Sequence, residues 1–451
     1  MPVSSCRSSR CQKEDTVASA FAENDVHMAL YAKGGLETFV QDSPEIEQAL
    51  AEAEYKPPKI DPDKYPGPDF ELWKFVKSRA LQKIGRLHRT IRYGDFIGSK
   101  VNLRTDDTKP MQLDLLGQHE PGLFILELKV EKSAERNAFS EMFAYSNYIA
   151  EMFALSGSKD ITNVLVANLD NKITAQAYLY DLLISDRNVI VYRPEFPTRS
   201  TADLKLHLYI PGDDEFKHLT NRLLSHDLME CVVASFDDLD GWFDSKEKDG
   251  DLNDYTVEHL SALSTYTAQL MEAERLHGFC FVRKRWKEVS MGYGNSVILC
   301  AVNPFRIADA KQSNDILEQL DEKHHSAFFE IPELGFGERL TSLAKRAIKD
   351  ALTHNYGCEL ETPNWSSMVT SAIEVVYTHN FGFRPTGILR EAYSSYLNMV
   401  YADAEAGLNH EDVSALKVNE LFSWLKAWEF MERCGFANAD HDDGSGAEDE
   451  E

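Results

Sequence analysis

The stretch MQLDLLGQHEPGLFILELKVEKSAERNAFSEMFAY, residues 111–145, decides how this chain is read. Met111 to Leu116 alternate as a strand does, with Gln112 and Asp114 on one face and Leu113 and Leu115 on the other. Gln118 to Gly122 supply turn residues. Leu123 to Val130 form a second strand, on which Glu127 and Lys129, two apart, point the same way. The short connection predicts a hairpin that brings Asp114 near Glu127, with Lys129 beside them. Phe124, Ile125, Leu126, Leu128 and Val130 make the second strand largely apolar on both faces, the pattern of a central strand. A charged pair there is costly without a chemical reason.

Two neighbouring carboxylates repel, and burying them costs more still unless a cation sits between them. A hard divalent ion such as Mg²⁺, or Mn²⁺, with oxygen ligands and retained waters, answers that need. A lysine beside it can orient the attacking water and stabilise charge developing at phosphorus. After the hairpin, a helix expected over about 134–155 puts Glu141 and Tyr145 at i and i+4 on one face. Its Phe139, Met142, Phe143, Ile149 and Phe153 point inward.

Working outward, residues 1–55 are Glu- and Ala-rich and read as a partly disordered arm with one helix over 43–55. Residues 56–69 (KPPKIDPDKYPGPD) hold five of the sixteen prolines and read as a stiff linker. A helix is expected over 70–85, then β-structure to 130. NVLVA (163–167) and VIVY (189–192) read as buried strands flanking a helix at 173–184. Strand, helix, strand at this spacing predicts a parallel βαβ unit, so residues 70–224 read as an α/β domain. Residues 225–436 read as a mostly helical domain, with one β-like interruption at 278–283 and 296–302. Residues 437–451 carry seven acids and no Lys or Arg, and read as a disordered tail.

Asp114, then Glu127-x-Lys129 at the end of the next strand, then a helix, resembles the PD-(D/E)XK nuclease superfamily. LDLLG at 113–117 and FILELK at 124–129 are closest to the NucS-type branch of DNA endonucleases. The likeness covers about residues 70–195. It implies a restriction-endonuclease-like mixed β-sheet flanked by helices. It also implies Asp114, Glu127 and the Leu128 carbonyl as metal ligands, Lys129 as the catalytic lysine, and Glu71 as an auxiliary acid. Two departures stand out. No proline adjoins Asp114, and Glu141 stands where the branch has glutamine, which leaves Tyr145 as the helix residue that matches.

The chain has 451 residues, 43% hydrophobic and 27% charged, with no long apolar run for a bilayer and no apolar leader core. A cytoplasmic protein is expected. With 47 basic and 74 acidic residues the net charge is −27, which excludes a general polyanion binder. DNA contact would need local basic patches. Seven Lys/Arg and no acid lie between Leu72 and Gly94; Lys74, Lys77, Lys83, Arg86 and Arg89 are the candidates to follow a phosphate path. Arg283, Arg285 and Trp286 form a second patch. The first patch also reads as the solvated face of a helix, and the second as a strand-end cluster with Trp286 in the core. Seven scattered cysteines give neither a zinc nor a disulfide pattern. The acidic run near 237–254 lacks the Gly and Glu positions of a calcium loop.

These features point to a metal-dependent DNA endonuclease, possible as a homodimer because two strands need two sites. Two alternatives stay open: a nuclease-fold module without catalysis that binds nucleic acid or protein, and a restriction or anti-phage effector.

Overall fold

The computed structural model describes residues 23–40, 43–103, 111–120, 122–130, 132–154, 159–198, 200–237, 254–285, 293–328, 330–351, 357–373, 378–408 and 421–436. Trp286, most of the acidic run and the 437–451 tail lie outside them. The molecule is mixed α/β with two sheets, and the chain divides into two compact units: 1–54 with 76–215, and 55–75 with 216–451. No helix among the described residues is long and apolar enough to cross a membrane.

The first unit opens with α1 (Glu23–Ala32) and α2 (Pro44–Ala53). Helix α3 (Leu72–Arg92) runs farther than the expected 70–85. Its buried Val76, Ala80, Ile84, Leu87 and Ile91 recur every three or four residues, a stripe that holds one face against the core. Arg89 and Arg92 in the last turn suit the negative end of the helix. Then come β1 (Asp95–Leu103), β2 (Met111–His119), β3 (Gly122–Lys129), the short α4 (Lys132–Glu135), α5 (Ala138–Ala150), β4 (Ile161–Ala167), α6 (Lys172–Leu183), β5 (Val189–Glu195) and β6 (Lys205–Leu208). The expected helix over 134–155 is thus two helices.

The six strands lie in sequence order in one sheet. β3, β4 and β5 are parallel and the remaining pairs antiparallel. Every residue of β4 is buried, as a central strand covered on both faces requires. On one face Leu115, Phe124, Leu126, Leu128, Val164, Val166 and Tyr192 share a core with Leu87 and Ile91.

Val26, Leu30, Leu36, Phe39 and Val40 belong to that same core. Residues 23–54 therefore belong with this unit, where the sequence suggested a partly disordered arm. The backbone ties them in at both ends of the sheet. The Phe96 amide donates to the Gly34 carbonyl at 2.7 Å, and the Leu206 amide to the Phe39 carbonyl at 2.9 Å.

The second unit takes up the proline-rich stretch. The Tyr55 hydroxyl donates to the buried Asp403 carboxylate at 2.7 and 2.8 Å, the Tyr65 hydroxyl donates to it too, and Arg433 donates to the Pro66 carbonyl at 2.6 Å. Prolines supply stiffness, but these bonds make the stretch a strap on this unit. It continues through α7 (Asp213–Leu223), β7 (Met229–Phe236), α8 (Asp254–Ala273), β8 (Gly278–Arg285), β9 (Asn295–Val302), α9 (Ala310–Leu317), α10 (His325–Phe328), α11 (Glu330–Ala351), β10 (Cys358–Glu361), α12 (Trp365–Ile373), β11 (Thr378–Thr386), α13 (Ile388–Glu405) and α14 (Leu421–Arg433).

Helices make up the larger part of this unit among the described residues, but the one β-like interruption expected at 278–283 and 296–302 belongs to a five-stranded antiparallel sheet, ordered β10-β7-β9-β8-β11, at its centre. One face (Val232, Ala234, Val282, Leu299) packs on α8 and α11 through Leu260, Leu263, Met271, Phe336 and Leu340. The other carries Phe279, Phe281 and Phe383, in ring contact with Trp365 and Trp424. The apolar matter of the helices serves to cover a sheet on both sides.

Candidate active site

Strand register builds the site. Ser99 pairs with Leu115 and Val101 with Leu113, which sets Lys100 opposite Asp114. Leu115 pairs with Leu126, which sets Asp114 opposite Glu127. Directly opposed residues of antiparallel strands project to the same side. Lys100, Asp114 and Glu127 therefore form a row across β1, β2 and β3, on the sheet face away from the core shared with α1. Lys129 follows on the same face, and α5 packs on β3 there, bringing Glu141 and Tyr145.

The contacts are short and specific. Lys129 Nζ donates to Glu127 Oε1 and Glu141 Oε2, 2.8 Å each. Lys100 Nζ donates to Asp114 Oδ1 at 2.7 Å. The Leu128 amide donates to Asp114 Oδ2 at 3.0 Å. Glu127 Oε2 is buried and has no hydrogen-bond partner. An unpartnered carboxylate oxygen in a buried position is expensive, and a bound cation would remove that cost.

Electrostatics follow from this burial. Glu127 is 2% exposed, and burial, then the Asp114 charge, pushes its carboxyl up to about 7. For Lys129, burial alone would lower the pKa; Glu127 and Glu141 outweigh it and raise it. Burial, then the Glu127 and Glu141 charges, pushes the Tyr145 hydroxyl up to about 12. Tyr145 thus stays protonated across the neutral range.

Two contributors were not legible in the sequence. Lys100 sits in a left-handed backbone conformation, φ +48°, inside a strand whose register shifts between Phe96 and Gly98. His27 lies in the buried stripe of α1, its Nε2 3.1 Å from the Asp114 carbonyl and 3.2 Å from Ser99 Oγ. Burial lowers its pKa, against the opposing pull of the Asp114 carbonyl, so a neutral ring supports β2 from behind.

The remaining expected residues have their own surroundings. Glu71 belongs to the second unit's segment, where it holds Trp73 Nε1 and Lys74. Lys74 also pairs with Asp69 at 3.6 Å, and Lys77 with Asp213 at 2.6 Å. Lys83 is buried and donates to Asp186 at 2.9 Å, an acid also held by Arg79 and Lys159. Arg89 donates to the Gly85 carbonyl, and Arg86 is exposed. Three of the five helix candidates are thus engaged with acids of this chain. Arg283 is buried, donates to Asn380 Oδ1 at 2.9 Å, and is lowered to about 10 by burial. Arg285 is half-buried.

Among the described residues no group of three or more His, Cys, Asp and Glu is arranged to hold a metal. The carboxylates that meet here are Asp114 and Glu127 on adjacent strands, with Glu141 joined to Glu127 through Lys129. Mg²⁺ keeps several waters and needs only one or two protein carboxylates, so this set and the orphaned Glu127 oxygen fit such an ion. No family model matches the chain, and no curated protein or solved structure matches it either.

Proposed function

We propose that this chain is a Mg²⁺- or Mn²⁺-dependent phosphodiesterase acting on DNA, an endonuclease with a restriction-endonuclease-like first unit. The observation that carries the reading is the pair of acids on adjacent strands, one with a buried, unpartnered oxygen, with a lysine two residues along. Asp114, Glu127 and the Leu128 carbonyl would hold the ion. When bound, it would make water a better nucleophile and offset phosphate charge.

The chain's own groups supply the rest. Lys129 is held more basic than usual, which suits a stabiliser of charge building on the phosphate oxygens better than a proton acceptor. The protonated Tyr145 hydroxyl is a donor on the same face. Water attacks phosphorus as the P–O bond to the leaving oxygen breaks; the water gives up one proton to solvent and the leaving oxygen takes one, departing as a hydroxyl. The test is plasmid nicking with Mg²⁺. Lys129→Ala and Asp114→Ala proteins should remain folded and lose at least about a hundredfold in rate. Nicking at the unsubstituted rate by either variant overturns the reading.

A second reading, a nuclease-fold module without catalysis that binds nucleic acid or protein, draws on a different observation. Both acids already carry ammonium partners, and several basic residues of α3 are bound to acids of this chain. Under that reading, Mn²⁺ titration shows no heat that depends on Glu127.

A further inference from the structure

We infer that Lys100 is a built-in counter-cation of Asp114 that competes with the divalent ion for the same carboxylate oxygen; this rests on the metal-site reading above. Of the two Asp114 oxygens, Oδ2 accepts from the Leu128 amide at 3.0 Å, a partner fixed in the backbone. Oδ1 accepts from Lys100 Nζ at 2.7 Å, and that side-chain partner is the displaceable one. A cation and an ammonium cannot share that position without strong repulsion, so loading the ion requires Lys100 to leave.

The backbone shows the contact to be constrained. Lys100 is not a glycine, yet it holds φ +48°, a region that L side chains rarely adopt. The register still delivers it directly opposite Asp114. Strain of this kind persists where surrounding structure over-determines it, commonly at functional sites. The Lys100 side chain remains about a third exposed (36%), so the ammonium has water to move into once displaced. Lys100 is in this sense a positioning residue for Asp114, distinct from Lys129, which lies on another strand and on Glu127 and Glu141.

The experiment is Mn²⁺ titration by calorimetry at fixed pH, on the full chain and on Lys100→Met, Lys100→Gly, Lys100→Arg and Lys100→Met/Glu127→Gln proteins. Removing a partly buried ion pair should tighten Mn²⁺ binding by about fivefold in Lys100→Met. Lys100→Gly should match it. Glycine accepts the left-handed backbone, so this variant guards against misfolding. Lys100→Arg should restore the weaker binding, and the double variant should bind no Mn²⁺. Unchanged or weaker binding in both folded Met and Gly variants overturns the competition while leaving the metal site standing. Absence of Mn²⁺ binding in every protein overturns both the competition and the metal site.

Discussion

The Leu128 amide donates to Asp114 Oδ2 at 3.0 Å, so the carboxylate of one strand is locked to the backbone of the next beside Glu127. This bond separates the structural and chemical roles of Asp114. Asparagine can still accept from the amide; alanine leaves a buried donor without a partner. Asp114→Ala should therefore lose about 1–3 kcal/mol in denaturant unfolding relative to Asp114→Asn, while both lose cleavage. Equal stability of the two variants would show that the bond contributes nothing.

Glu127 gives a pH signature in metal-free buffer. Its folded value, about 7, lies above its ordinary 4.5, so the folded state holds the proton more tightly. Stability is then fully present below about 4.5 and declines as pH rises to about 7, by on the order of 2 kcal/mol. Glu127→Gln should flatten that decline, and saturating Mg²⁺ should also reduce it in the unsubstituted protein. Thermal melts across pH 4–8 in chelator give the answer; an identical slope in the Gln variant sinks the assignment.

Gly117 is opposite Phe124 in the β2–β3 register, and a Cβ there would come within clashing distance of the Phe124 Cζ. The ring packs over the glycine as a cross-strand pair. Gly117→Ala should cost about 1–3 kcal/mol by overpacking. Pairing it with Phe124→Leu should return part of the loss. Additive effects in that double-variant cycle would disprove the contact.

Asp186 behaves in the opposite sense. Burial would raise its carboxyl, but Lys159, Lys83 and Arg79 outweigh burial and hold it down to about 2. Its contribution is present above the ordinary 3.8 and lost as pH falls toward 2. Asp186→Asn keeps a residue that tolerates the observed φ of +52° but leaves buried Lys83 without its anion. A loss of about 3 kcal/mol at pH 7, fading in acid, is expected by urea unfolding. A loss that stays constant down to pH 2 contradicts the ion-pair account.

The first sheet was legible from the hairpin outward, because residues 111–130 carry both signals that matter: alternation on β2 and an apolar run on β3. The row of Lys100, Asp114 and Glu127 was legible only in part. Asp114 and Glu127 lie in recognisable strands, whereas Lys100 depends on a backbone kink that no periodicity announces. His27 comes from a segment 87 residues before Asp114, and only tertiary packing brings them together. In the second unit, THNFGFRPT (378–386) hid a strand because it contains Gly382 and Pro385. It is an edge strand with a register shift between Phe381 and Arg384 and Gly382 at φ +64°, a place where both residues are tolerated. Cys358–Glu361 is only four residues long, too short for a pattern to stand out.

Because residues 23–40 complete the first unit's core and the strap at 55–75 is built into the other, the polypeptide crosses between two folding units and back before either is finished. A ribosome emitting this chain releases α1 well before the strands it must cover, so those apolar side chains wait in an unfinished state. A shortened gene starting at residue 70 would delete Val26, Leu30, Leu36, Phe39 and Val40 from that interior. Only a polypeptide that keeps residues 23–54, or receives them as a separate peptide, can be expected to yield a well-behaved fragment.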